Sequence, residues 1–190
     1  MKASLSPVKQ ARLNQLLDDA TKLLIERPNA SLAEIAEFAG IGIATLHRYV
    51  ENREQLMLLL GFRAIQVVEE TIRKLRLDEE HCERYIPDLI GGLIPLGDKI
   101  YFLAHDASVN ANSELEQAYL RVTEPIRDVF GVLQQKGLLR SPMNLDWMIE
   151  VLYSLLFLTW QQIYTGQLAR NSAAQLLLDT YSNGFAVRRE

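Results

Sequence analysis

The chain has 190 residues, enough for one large domain or two small ones, and its 48% hydrophobic content supports a sizeable core. A net charge of −4 excludes a strongly basic nucleic-acid binder, and a single cysteine, Cys82, excludes an intramolecular disulfide. The opening MKASLSPVKQ has no apolar run of the kind that directs secretion, so a reducing, cytoplasmic setting is expected.

Ser6-Pro7 suits a helix start, because the missing proline N–H is unused in the first turn. Apolar residues from Val8 to Leu24 carry that helix about five turns to Arg27-Pro28, where the residue before proline leaves the α region. Ser31 then caps a short helix, with Glu34 three residues on completing a capping box. Leu32, Ile35, Ala36 and Ala39 give it one apolar face, and Gly40 closes the turn. Ile43, Leu46 and Val50 mark a second apolar stripe, which leaves Ala44, Thr45, His47, Arg48 and Tyr49 wholly or partly off it. Asn52 caps a further helix, with Gln55 at its third position. This is the outline of a helix-turn-helix, whose second helix can lie in the DNA major groove.

That further helix is expected over 53–77 as a mechanical connector, with domains at 1–52 and 53–190. Beyond it the pattern stays helical. Helices are expected over roughly 79–92 and 95–106, with a loop at 107–112 and a helix capped by Ser113 that runs to about Lys136. Thr123-Glu124-Pro125 marks either a kink or a break in it. Asn144 or Asp146 opens the next helix, and Asn171 or Ser172 the last, which stops at Gly184. No strand alternation appears, so the chain is expected to be all-α. Residues 151–160 (VLYSLLFLTW) are nearly all apolar, but Gln161, Gln162 and Gln167 intrude too early for a membrane span. A helix apolar all round is buried on every side. Together with the last helix it can pair with a second copy of the chain as a four-helix homodimer interface. The competing arrangement is a monomer whose last two helices bury each other.

The stretch from the first helix to Leu56 resembles the tetracycline-repressor (TetR) family of transcriptional regulators. Ile35-Ala36, Ala39-Gly40-Ile41, Thr45-Leu46, Arg48-Tyr49 and Asn52-Arg53-Glu54-x-Leu56 match its pattern without gaps. His47 stands where the family usually has tyrosine, Val50 where it has phenylalanine, and Arg53 where it has lysine. The resemblance implies an N-terminal helix-turn-helix module joined by the connector to a helical ligand-binding and dimerisation domain. It also implies double-stranded operator DNA and a small-molecule effector as partners.

Phosphate contacts position such a protein and base contacts specify the site. Thr45, His47, Tyr49 and Arg53 are the phosphate candidates; Ile43, Ala44 and Arg48 are the base-edge candidates. Ile43 is equally readable as core, and Arg48 as a partner of Glu51 or Asn52. Lys9 and Arg12 add cations near the chain start. Residues 1–56 carry seven cations and seven anions, so the remaining 13 cations and 17 anions hold the whole net charge. Any DNA affinity must therefore come from placed groups and dimerisation rather than bulk charge. For the effector, Tyr101, Phe102, His105, Phe157, Trp160, Gln161 and Tyr164 are the lining candidates, and Tyr85, Phe130 and Tyr153 are further aromatics. The absence of a cationic cluster on these helices favours an apolar or amphipathic effector over a polyanion. Three scattered histidines and no P-loop, GxGxxG or HExxH motif argue against catalysis, a metal centre and a resident cofactor. An all-α module of this design whose partner is another protein is the alternative function.

Overall fold

The computed structural model describes residues 6–78, 80–100, 109 and 111–184. Helix α1 (Pro7–Glu26) begins on its proline and ends at Arg27, whose backbone turns out of the helix ahead of Pro28. The Ser6 hydroxyl makes no cap bond. Helix α2 (Leu32–Phe38) starts on a complete capping box. The Ser31 N–H and hydroxyl both donate to Glu34 Oε2 at 2.8 Å, and the Glu34 N–H returns to Ser31 Oγ. Gly40 takes a positive φ of 68°, which lets Ile41 N–H reach back to the Ala36 carbonyl at 2.9 Å and seal the end of α2.

Helix α3 (Ile43–Leu46) is one turn long and continues as hydrogen-bonded turns through Tyr49. Asn52 caps α4 (Arg53–Ile72) through its side chain to Gln55 N–H. This helix stops five residues short of the expected Leu77. Leu75 and Leu77 are two apart, a spacing that a helix would send to different faces, and both pack on the C-terminal core.

The expected helix over 79–92 is a 3-10 turn at Cys82–Arg84 followed by α5 (Tyr85–Leu93). Pro87 fits only within the first turn of α5, which sets the later start. Gly91 and Gly92 lie inside this helix instead of ending it; a Cβ on Gly92 would come within 3.0 Å of the Thr71 methyl on α4. A second 3-10 turn, Ile94–Leu96, holds Pro95, and α6 (Gly97–Ile100) follows. The rest of the helix expected to 106 lies outside the described residues.

Helix α7 (Ser113–Gln135) is capped by Asn112, not Ser113: the Asn112 carbonyl oxygen accepts from Leu115 N–H at 2.9 Å. It runs unbroken through Pro125, which is exposed, so the carbonyl left without its amide partner can turn to water. Asn144 caps α8 (Leu145–Tyr164) with bonds from Asp146 and Trp147 N–H. Helix α9 (Arg170–Asn183) begins after Ala169 with no side-chain cap, because the Ser172 hydroxyl turns back to the Ala169 carbonyl within the first turn.

The described residues are helical throughout, with no strand among them, and no helix among them is long and apolar enough to cross a membrane. Two apolar cores result. The N-terminal one gathers Leu13 to Leu24 of α1, Ile35, Ala36, Leu46, Val50, and Leu56, Met57, Leu60 and Ala64 of α4. The C-terminal one gathers α5, α7, α8 and α9 around Ile72, Leu89, Phe130 and Leu152. Helix α4 serves both, and Ile100 of α6 packs against both. Arg63 of α4 also grips Asp18 of α1, so the connector is fastened to the N-terminal module by charge as well as by packing.

Candidate nucleic-acid interface and effector region

The recognition segment has two chemically distinct sides. Leu46 and Val50 are completely buried, and Tyr49 is half-buried against the N-terminal core. Ala44, Thr45, His47 and Arg48 are exposed. Ile43, expected in the apolar stripe, is 43% exposed and sits on the open side with them. Leu46 and Val50 of the expected stripe are buried, and Ile43, the first residue of the short helix, is its one open member. The small Val50 still fills its place completely. Phe38 is 48% exposed on the same module; it falls off the Leu32, Ile35, Ala36 and Ala39 stripe of α2, which was the available signal for it.

Arg48 forms no ion pair among the described residues, which leaves its guanidinium open to a bidentate acceptor. Lys9 and Arg12 are exposed on the first turns of α1 and likewise unpaired among the described residues. His47 is committed differently. Its Nδ1 lies 3.1 Å from the Val50 carbonyl, so Nδ1 carries the proton, and Nε2 becomes a donor only in the charged ring. Arg53 is also engaged. It donates to the Ala30 carbonyl at 2.7 Å and to the Pro28 carbonyl, tying the start of α4 to the loop between α1 and α2.

In the C-terminal domain, Tyr101, Phe102 and His105 lie outside the described residues. Phe157 and Trp160 meet edge to face with centroids 5.1 Å apart. Trp160 is buried, and its indole N–H donates to the Ile94 carbonyl at 3.1 Å. Gly97 of α6 lies against that indole so closely that a Cβ there would sit 2.1 Å from its Cδ1. Gln161 and Tyr164 are exposed, whereas Trp160 is buried. A cleft of about 900 Å³ opens between the 3-10 turn before α5, the α7–α8 connection and the end of α9. Its walls include Cys82, Ile86, Arg140, Trp147 and Asp179, and none of the expected lining residues. Burial pushes Tyr85 and Tyr181 up to about 12, so both stay neutral phenols at physiological pH.

No protein-family model matches the chain. It is 22% identical over 179 residues to the HTH-type transcriptional repressor LfrR of Mycolicibacterium smegmatis, covering 94% of this chain and 93% of the relative. It is 25% identical over 166 residues to the HTH-type transcriptional regulator NfxB of Pseudomonas aeruginosa, covering 85% and 87%. Its backbone matches the TetR-like regulator LfrR of Mycobacterium smegmatis in complex with proflavine, with a TM-score of 0.79 at 21% identity, over 94% of this chain and 99% of that one. The chain has the TetR-regulator fold.

The transcriptional regulator FadR of Bacillus subtilis, solved with stearoyl-CoA, shares this fold at a TM-score of 0.60 and 17% identity, over 90% of this chain and 98% of that one. Both curated relatives are transcriptional regulators.

Proposed function

We propose that the chain is a ligand-responsive homodimeric repressor, released from a palindromic operator when a small apolar or amphipathic molecule enters the C-terminal domain. The carrying observation is the recognition segment, whose buried side is complete while Ala44, Thr45, His47 and unpaired Arg48 stand open. Arg48 reads a guanine edge, Ala44 and Ile43 meet thymine methyl groups, and Thr45, Tyr49 and Lys9 hold phosphates. Two copies joined through α8 and α9 present two such segments, and the operator half-sites repeat with the helical turn of DNA.

The release route is argued from packing. Helix α6 touches α1 and α4 on one side and, through Gly97, the Trp160 indole of α8 on the other. A molecule that displaces α8 or α6 therefore pushes on α1 and on the connector together, and this changes the separation of the two recognition segments. Relatives of this fold are solved with proflavine and with stearoyl-CoA. The scarcity of cations on α5, α8 and α9 supports the aromatic chemistry over the polyanionic one for this chain.

Selection from random duplexes tests the proposal, and an inverted repeat is the expected result. In gel shifts on that site, Arg48→Ala costs about 1–3 kcal/mol and relaxes the preference at one position of each half-site. Selection that returns no inverted repeat removes the operator reading.

A further inference from the structure

The His47 ring has one nitrogen engaged within the chain and one to offer outside it. The His47 backbone N–H bonds back to the Ile43 carbonyl at 2.9 Å, so these two exposed residues lie one turn apart on the open side of the recognition segment. Nδ1 lies 3.1 Å from the Val50 carbonyl. A carbonyl only accepts, so Nδ1 keeps its proton whether the ring is neutral or charged. Nε2 is the variable atom: a bare acceptor in the neutral ring and an N–H donor in the charged one.

No carboxylate fixes that charge in the free chain. Helix α2 packs on the segment and carries Glu34 and Glu37. The segment itself carries Arg48 and Glu51, and the first turn of α4 carries Arg53 and Glu54. None of these forms an ion pair with His47 among the described residues. Glu34 is engaged by Ser31 and Arg27, and Arg53 by the Pro28 and Ala30 carbonyls. The charge of the ring is thus left to whatever docks on the open side. A DNA duplex makes a strong demand on it. Phosphate oxygens only accept, so a neutral Nε2 sets its lone pair against an anionic oxygen. A charged ring makes a charge-assisted hydrogen bond there instead, and the field of the polyanion favours that form further.

We propose that His47 is a proton-linked phosphate contact. Each protomer takes up one proton at Nε2 as it docks on the operator, and the resulting Nε2–H donates to a phosphate oxygen; no covalent bond to phosphorus forms or breaks. Proton and DNA binding are then reciprocal, so a fall in pH tightens the complex and a rise loosens it. This rests on the reading of the segment as an operator-binding surface, and it adds to that surface an input separate from the effector. His47 carries no base preference in this role; Arg48, Ala44 and Ile43 do.

The test titrates the full chain, H47Q and H47K against the operator recovered from random duplexes. Binding is followed by fluorescence anisotropy between about pH 6 and pH 8.5, at several salt concentrations. The wild type is expected to bind about tenfold more tightly per half-site at the acid end, the equivalent of one pH unit of linkage. Its slope of log affinity against log salt should also steepen there by about 0.9 per half-site, the signature of one more neutralised phosphate. H47Q has no titrating group and should keep one affinity and one salt slope throughout. H47K is charged throughout and should hold the steeper slope at both ends. His47 is exposed, so both variants should fold, and their melting temperatures check it. A wild type whose affinity and salt slope ignore pH, or a pH dependence that survives in H47Q, overturns the proposal. So does a pH dependence that H47Q abolishes together with base preference but with no change in salt slope, which places Nε2 on a base edge. Specific binding that ignores pH removes this inference and leaves the operator reading standing; absence of any specific duplex binding removes both.

Discussion

Arg63 on α4 clasps Asp18 on α1 through two parallel bonds, Nε to Oδ1 and Nη2 to Oδ2, each 3.1 Å long. Their side chains are 17% and 31% exposed, so the pair is partly shielded from water. A two-pronged contact fixes angle as well as distance, and it holds α4 at one rotation relative to α1. Asp18→Ala is therefore expected to lower stability by about 1 kcal/mol in urea denaturation. It should also blunt the release of operator by effector, measured as the ratio of operator affinities with and without ligand. An unchanged ratio would mean that α4 and α1 are coupled by packing alone.

Ser31→Ala removes the cap of a helix only seven residues long and is expected to cost about 1 kcal/mol. The box also has a pH signature. The Ser31 backbone N–H and then its hydroxyl, with Arg27 beyond, hold the Glu34 carboxyl below the ordinary carboxylate range. A group lowered in this way stabilises the fold fully above its unfolded value near 4.5, and the contribution fades as pH falls through the lower folded value. Urea midpoints taken down an acid series should converge for the wild type and Glu34→Gln. Curves that stay parallel would show that the box adds nothing to the acid sensitivity.

Much of this was legible because it is local. The capping box, the Gly40 turn, the end of α1 before Pro28 and the Asn52 cap each depend on residues within a few positions of one another. Asn112 in place of Ser113, and the early end of α4, depend on which face must meet a neighbour. Leu115 packs against Gly61, where a Cβ would come within 3.1 Å, and Leu75 and Leu77 turn back onto the C-terminal core. Periodicity does not carry that information. In the recognition segment, spacing identified Ala44, Thr45, His47 and Arg48 as exposed, but not Ile43, nor that His47 and Arg53 spend donors on Val50, Ala30 and Pro28 carbonyls. Aromatic composition pointed to the C-terminal domain, yet it did not separate Trp160, which is satisfied by Ile94, from Tyr153, which is satisfied by nothing.

Arg53 offers a separable test of structure against DNA contact. Its guanidinium spans two loop carbonyls, which a lysine ammonium cannot do with the same geometry. Arg53→Lys is expected to lower the melting temperature while leaving the slope of log affinity against log salt unchanged. A slope shallower by about 1 would show instead that the side chain neutralises a phosphate.

Gly97 and Trp160 form the contact through which α8 presses on α6. A methyl group at residue 97 would collide with the indole, so Gly97→Ala must displace the ring and break its bond to Ile94. The expected loss is about 1–3 kcal/mol, the range for overpacking a filled core. Trp160→Phe keeps most of the volume and forfeits the hydrogen bond, so it should cost less and leave Gly97 unhindered. If both variants melt with the wild type, α6 is not held by this contact and the proposed release route fails with it.

The proposed dimer is tested on the outer face of α8. Trp147, Val151, Ser154 and Leu158 recur at spacings of four, three and four, which places them along one stripe. Trp147 is 64% and Leu158 49% exposed, and Leu176 on the adjoining α9 is 53% exposed. If α8 and α9 merely buried each other, these residues would be covered within the chain, and they are not. A second copy laid against the stripe covers them, and stable interfaces of this kind bury about 800 Å² per partner. Leu158→Arg places a charge at the centre of that surface without touching the core of its own chain. Sedimentation is expected to show a monomer that still melts cooperatively, with operator affinity reduced because only one half-site is held at a time. A variant that sediments as a dimer would move the interface elsewhere, and it would take with it the half-site geometry drawn from α8 and α9.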